Sequence, residues 1–205
     1  GANHFGKSEK DDNFSLILAK EINLSLELDF PKKEIPFYFD GGNIFVDEEK
    51  NCFTSIRKDD PPLEYREKLL SNINCEKVIA MNAIPGEPTG HVDTFMKILP
   101  EKKALLAKYE NPTFDKEMSK NKNILHELGY EVIEITHGNK EEHANWSYIN
   151  SLIVNNKAFV PQYDIDRDDA ALRVYESMGF SVIPIKARTI MKEKGSVHCI
   201  TNFIY

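Results

Sequence analysis

Short apolar runs and runs with helical spacing follow one another in a fixed order along this chain. Residues 43–46 and 52–56 are apolar stretches around the polar run Asp47-Glu48-Glu49-Lys50-Asn51, a pattern that predicts a hairpin. Pro61-Pro62 then opens a helix carrying Leu63, Tyr65, Arg66, Leu69 and Leu70, and 77–81 reads as a strand. The order returns with strand 91–99, a turn at Pro100-Glu101-Lys102, strand 104–109, helix 114–128 stopped by Gly129, and strand 131–135. It returns again with strand 148–154, turn Asn155-Asn156, strand 158–160, helix 168–178 closed by Gly179, and strand 180–185. A fourth start stands at Val197. Ahead of all this, Asp11-Asp12-Asn13 caps a helix bearing Phe14, Leu16, Ile17, Leu18 and Ile22, and 35–39 is a short strand.

The repeated unit is strand, strand, helix, strand, with starts near 43, 91, 148 and 197, a period of roughly 50 residues. Such α/β modules predict either a ring, each module burying its sheet under its helix, or an ordinary open sheet. In a ring, equivalent positions converge on the axis, so His91, Asn150 and Cys199, each at a module's first strand, would meet. Residues 12–39 end a module and 197–203 begin one, so about one N-terminal module is expected to be absent from the chain.

Composition narrows the class. The chain has 205 residues, 41% of them hydrophobic and 29% charged, as in an ordinary globular protein. No apolar run approaches the roughly 20 residues of a membrane span. A net charge of −7 disfavours nucleic acid as partner and suits a cationic substrate. Gly1-Ala2 looks like a processed start, which leaves the compartment open between cytoplasmic and secreted. The triplets beginning at Asn13, Asn23 and Asn145 match glycosylation acceptors but are common by chance. The three cysteines leave at least one free thiol, and a Cys52–Cys75 bridge is neither required nor excluded. No Cys or His spacing suggests a zinc site.

Candidate chemistry lies in three Gly-flanked stretches: Phe39-Asp40-Gly41-Gly42-Asn43, Thr89-Gly90-His91-Val92-Asp93 and Gly195-Ser196-Val197-His198-Cys199-Ile200-Thr201-Asn202. Taken singly, Cys199 reads as a buried strand thiol, His91 as a bonded strand residue, Asp40 as a turn former and Asp93 as a solvated carboxylate. Together, at repeat-equivalent positions, they are the parts of an activated-thiol enzyme. His198 would sit on the opposite strand face from Cys199 and so be a poor acid/base. His4, His126, His137 and His143 show no partner pattern. A papain-like protease is disfavoured, since there the cysteine precedes the histidine and opens a helix.

These stretches, with Tyr148–Ile153, Val160-Pro161 and the helix at Asp168–Tyr175, resemble bacterial-type peptidylarginine deiminases and agmatine deiminases, the guanidine-modifying enzymes of the pentein fold. The resemblance covers nearly the whole chain, in the family's order. It implies one catalytic domain over 1–205, corresponding to the C-terminal two-thirds of the family's domain. The implied fold is a pentein-type α/β propeller of ββαβ modules around a pseudo-fivefold axis. Cys199 would be the nucleophile, His91 the general acid/base, Asp40 its orienting carboxylate, Asp93 the guanidinium clamp, and Asn150 a lining residue. No cofactor or metal is implied, and calcium independence is expected because no EF-hand-type loop is present. The implied reaction turns peptidyl or free arginine into citrulline plus ammonia. Agmatine, giving N-carbamoylputrescine, is the alternative substrate, amidinotransfer the alternative reaction, and a non-catalytic binding pentein the alternative class. Family members carry a Trp-x-Arg-Asp-like motif, with a second clamp aspartate, ahead of the segment matching Phe5; this chain does not. A second polypeptide supplying that module is therefore an expected partner, beside a guanidinium molecule or arginine peptide. Self-association into a homo-oligomer is a further expectation.

Overall fold

Three strand, strand, helix, strand repeats form in the expected order. The computed structural model describes residues 41–56, 63–70, 75–137, 146–193 and 195–201, all within the compact unit Phe39–Tyr205. The helix expected over 11–22, the strand at 35–39, His4, Asp40, His143 and residues 202–203 lie outside the described residues.

In the first repeat, β1 (Phe45–Val46) pairs antiparallel with β2 (Asn51–Ile56). Helix α1 (Leu63–Leu70) then leads to β3 (Lys77–Asn82), parallel to β2. The second repeats this order with β4 (Met96–Leu99), β5 (Lys103–Lys108), α2 (Pro112–Glu127) and β6 (Glu131–Thr136). The third has β7 (Leu152–Val154), β8 (Lys157–Gln162), α3 (Asp168–Ser177) and β9 (Ser181–Lys186). Each sheet is three-stranded, with its second strand in the centre.

The repeats agree in detail. Entering the last strand, the amides of Glu76, Glu131 and Ser181 donate to the carbonyls of Lys50, Lys102 and Asn156 at 3.0, 2.8 and 2.8 Å. The hairpin turns each hold a left-handed residue, Lys50, Lys102 and Asn155 among them. Gly129 and Gly179, with φ of 82° and 88°, take the same conformation just past α2 and α3, where a side chain would be strained. Asn111 caps α2 by accepting from the Thr113 amide. One continuous apolar core runs through the three repeats, from Phe53 and Met81 through Leu105 and Leu106 to Val160 and Tyr175. Helix α2 leans on β3 and α3 on β6, so these two helices cover their own sheets and touch the last strand of the repeat before.

Cys52 and Cys75 are joined in a disulfide, with Cα atoms 5.7 Å apart and a sequence separation of 23. The bridge ties β2 to the entry of β3. It leaves Cys199 as the free thiol.

The predicted strands at 91–99 and 148–154 start later than their apolar pattern suggests. Residues Val92–Thr94 form a 3-10 turn before β4, and 148–150 is a turn before β7. The Cys199 segment is likewise a 3-10 turn, His198–Ile200, rather than a strand. In all three places polar side chains take up backbone groups that a ladder would otherwise pair.

His137, just after β6, is wholly buried. Its Nδ1 lies 3.1 Å from the Tyr109 hydroxyl, while Nε2 has no partner. Burial, and secondarily the charge of Arg167, pushes its pKa down to about 3. The folded protein therefore keeps this imidazole neutral where the unfolded chain, at about 6.5, already takes up a proton. Stability from this group is complete above about pH 6.5 and is lost as pH falls toward 3, at about 1.4 kcal/mol per unit. Urea unfolding at pH 7, 6, 5 and 4 should show that slope, and His137→Phe should flatten it by one proton's worth. An equal slope in both proteins would refute the assignment.

Candidate active site

The starts of the repeats come together, and polar side chains bind them to one another. Asn43, in the 3-10 turn Gly41–Asn43, is buried. Its Oδ1 accepts from the Ser55 amide at 3.0 Å and the Val92 amide at 3.1 Å, and its Nδ2 donates to the Ser55 carbonyl at 3.2 Å. One side chain thus fastens β2 of the first repeat to the turn carrying His91 and Asp93. The approach to that turn is fixed by Glu87, whose carboxylate accepts from the Gly90 amide and from the Thr89 hydroxyl. Gly90 has φ 64°, which is why a glycine precedes the histidine.

His91 stands in extended backbone at the head of the Val92–Thr94 turn, its carbonyl accepting from the Thr94 amide and hydroxyl. Asp93 is wholly buried. Its Oδ2 accepts from His198 Nδ1 at 2.8 Å and lies 3.6 Å from Cys199 Sγ. Its Oδ1 is buried and has no hydrogen-bond partner.

Asn150 joins the second, third and fourth starts. Its Nδ2 donates to the Asp93 carbonyl at 3.2 Å and to Cys199 Sγ at 3.2 Å. Its Oδ1 accepts from the amides of His198 and Cys199 at 3.0 and 3.2 Å. The role extends beyond lining: Asn150 shapes the cysteine turn and faces the sulfur.

Cys199 is open to solvent as a residue, while its sulfur faces Asp93 and Asn150. Burial of the thiol and then the Asp93 charge push its pKa up to about 11, against the Ser196 backbone amide and the Asn150 amide, which hold it down. A neighbouring cation is what this thiol needs to ionise near neutrality.

Two residues near the sulfur escaped sequence reasoning. His198 was placed on the far face of a strand. In a 3-10 turn, with three residues per turn, neighbouring side chains are not on opposite faces, and both His198 and Cys199 reach Asp93. Lys97 is buried in β4, its Nζ 5.1 Å from the centroid of the Phe45 ring, which in turn packs 5.7 Å from His198. Burial lowers its pKa to about 8, with the charges of Asp93 and Cys199 working to raise it. At neutral pH it is mostly a cation facing the Asp93 carboxylate and the thiol. A lone lysine in the apolar run 95–99 was the available signal.

The sequence-predicted residues Cys199, Asp93 and Asn150 are in mutual contact. His91 joins them through the space above Gly42: a Cβ there would lie 2.8 Å from Asp93 Oδ2 and 2.9 Å from His91 Nδ1. Gly41, by contrast, has nothing within 4 Å of such a Cβ. Gly42→Ala should therefore lower activity about a hundredfold by displacing one of these two groups, and Gly41→Ala should leave it near wild type. Steady-state kinetics of the pair check this; equal effects would remove the steric reading. Among the described residues no group of three His, Cys, Asp or Glu is arranged to hold a metal. No helix among them is long and apolar enough to cross a membrane.

Residues 3–204 match the model of the family described as Porphyromonas-type peptidyl-arginine deiminase. The curated Vibrio parahaemolyticus protein named "Putative agmatine deiminase" is 25% identical over 82% of this chain. The chain spans 58% of that relative's length. The solved structure of C. jejuni agmatine deiminase matches with a TM-score of 0.76 at 20% identity, over 96% of this chain and 64% of that one. A Cys-to-Ser variant of the C. jejuni enzyme with substrate bound matches with a TM-score of 0.75 at 20% identity, over 95% of this chain and 63% of its own. At this level of identity the structural likeness is one of fold.

Proposed function

Because the chain belongs to the Porphyromonas-type peptidyl-arginine deiminase family, we propose that this site hydrolyses an arginine-type guanidinium to a ureido group and ammonia. The observation that carries the reading is Asp93: a buried carboxylate with one oxygen 3.6 Å from the free thiol and the other without a donor. A buried acceptor left unpaired is a requirement waiting to be met. A planar guanidinium meets it with paired N–H donors and places a further cation beside the thiol.

The reaction then follows from the residues present. The substrate's charge offsets Asp93, the Cys199 thiol passes its proton to His91, and the sulfur attacks the guanidinium carbon. His91, protonated, delivers a proton to the departing nitrogen as the C–N bond breaks, and ammonia leaves an amidino-thioether on Cys199. His91 next takes a proton from water as the water oxygen bonds to carbon. The C–S bond breaks, the intermediate's hydroxyl proton passes to the departing sulfur, the ureido product leaves with the Cys199 thiol restored, and His91 releases its proton to solvent. Asp40 would orient His91. Asn150 holds the sulfur in line.

The repeats fit a pentein-type propeller around a pseudo-fivefold axis. The remaining module, with its second clamp carboxylate, would come from residues this chain does not carry, such as a second polypeptide. Peptidyl or free arginine is the first reading of the substrate, on the family match. Agmatine is the second, favoured by relatives named for it.

A colorimetric ureido assay on an arginine peptide, free arginine and agmatine tests the proposal, run beside native and denatured intact mass of the same preparation. Turnover of one substrate, lost in Cys199→Ala, supports it and chooses the substrate. No turnover with any of them, in a preparation whose mass shows every expected polypeptide, would leave a binding role instead.

A further inference from the structure

Three buried tyrosines surround the turn that carries Asn150, and one of them also reaches the segment that carries Cys199. Tyr175 donates its hydroxyl to the Tyr148 carbonyl at 2.8 Å, and Tyr148 donates its own to Asp168 at 2.6 Å. Asp168 in turn accepts from the Tyr163 amide at 3.0 Å. Tyr163 is held further by Trp146, stacked at 5.4 Å, and by Tyr148, also at 5.4 Å. Its ring therefore has little freedom.

The Tyr163 hydroxyl makes two contacts. It donates to the Ser147 carbonyl at 2.9 Å, and it lies 3.0 Å from Ser196 Oγ, whose proton it can accept. Ser147 is not a bystander, since its own hydroxyl accepts from the Asn150 amide at 3.2 Å. Ser196 is not one either, since it is buried three residues before Cys199, in the segment that carries the thiol. The Asn150 side chain that faces the sulfur, and the cysteine itself, thus stand on two chain segments far apart in sequence. One phenolic oxygen joins those segments.

We propose that Tyr163 is a positioning residue of the site, its hydroxyl holding the turn that carries the Asn150 donor against the segment that carries Cys199 Sγ. The inference rests on Cys199 being the reacting thiol, as in the function proposed above. Tyr163 touches neither sulfur nor substrate. Its effect is on how well the sulfur is held as an anion. A fully buried hydroxyl bridging two turns would be needed for packing alone only if its loss lowered stability and nothing else.

Tyr163→Phe removes the hydroxyl and keeps the ring. The rate of Cys199 alkylation by iodoacetamide at pH 8 reads the thiolate without any need for turnover. It is expected to fall about tenfold, the worth of one to two hydrogen bonds. In the ureido assay kcat should fall by a similar factor with KM within twofold, since the substrate clamp is untouched. Alkylation within twofold of wild type, with only the thermal midpoint lowered, would overturn the proposal and leave a packing role. Should Tyr163→Phe not fold, Ser196→Ala removes one arm of the bridge, and the same slower alkylation is expected; an unchanged rate there overturns it equally. If alkylation slows as stated while wild type itself turns over no guanidine, the positioning role stands and the deiminase reading falls.

Discussion

Asp93→Asn is expected to make Cys199 more reactive and the enzyme far less active. The two effects have one cause. The Asp93 charge lies within reach of the sulfur and is, after burial, the largest influence pushing the thiol pKa up. Removing it makes the thiolate easier to form, so alkylation at pH 8 should speed up several-fold. The substrate guanidinium, however, loses its counter-charge at the buried Asp93 oxygen that has no other partner. Removing one partner of a buried ion pair costs about 3–5 kcal/mol, or about 10² to 10⁴ in kcat/KM. A neutral, smaller thiol reagent separates the two effects because it does not use the carboxylate. Activity within tenfold of wild type would show that Asp93 is not the clamp. Slower alkylation would show that the electrostatics of the site are misread.

Asn150→Asp should act on alkylation in the opposite direction. The side chain keeps its shape, and one oxygen still accepts from the His198 and Cys199 amides. The other atom, which now donates to Cys199 Sγ and to the Asp93 carbonyl at 3.2 Å each, becomes an oxygen facing both. A donor is lost and a negative charge arrives beside the sulfur, so the thiolate is disfavoured twice. Loss of a preorganised donor at a reacting centre costs about 10² to 10³ in kcat, and alkylation should slow at least tenfold. Together the two variants bracket the site, one raising thiol reactivity and one lowering it, with turnover lost in both. An alkylation rate unchanged by Asn150→Asp would mean that Asn150 serves only to shape the turn.

The repeat was legible because each unit marks its own ends: polar hairpin turns, a proline or asparagine at the helix start, a glycine at its close. The convergence of His91, Asn150 and Cys199 was an expectation from that period, and in the structure hydrogen bonds join the turns that carry them. The local backbone at those starts was not legible. Val92, Phe95 and Met96, or Val197 and Ile200, alternate well enough to pass for strand. What bends them are bonds from Asn43 and Asn150, which come from 49 and 48 residues away and leave no mark nearby. The same error removed His198 from consideration, since its exclusion depended on strand geometry. Lys97 and His137 were hidden for another reason: a titratable side chain in an apolar neighbourhood looks alike whether its head reaches water or is enclosed. Asp40 lies outside the described residues, and its assignment rests on the resemblance.

The Cys52–Cys75 bridge has a consequence for how any preparation of this protein is judged. A protease that cuts anywhere between those two cysteines breaks the main chain without separating the pieces. Nicked and intact molecules would then run together until a reductant is added. A second band that appears only after reduction comes from a cut between the two cysteines, whereas one released by denaturant alone does not.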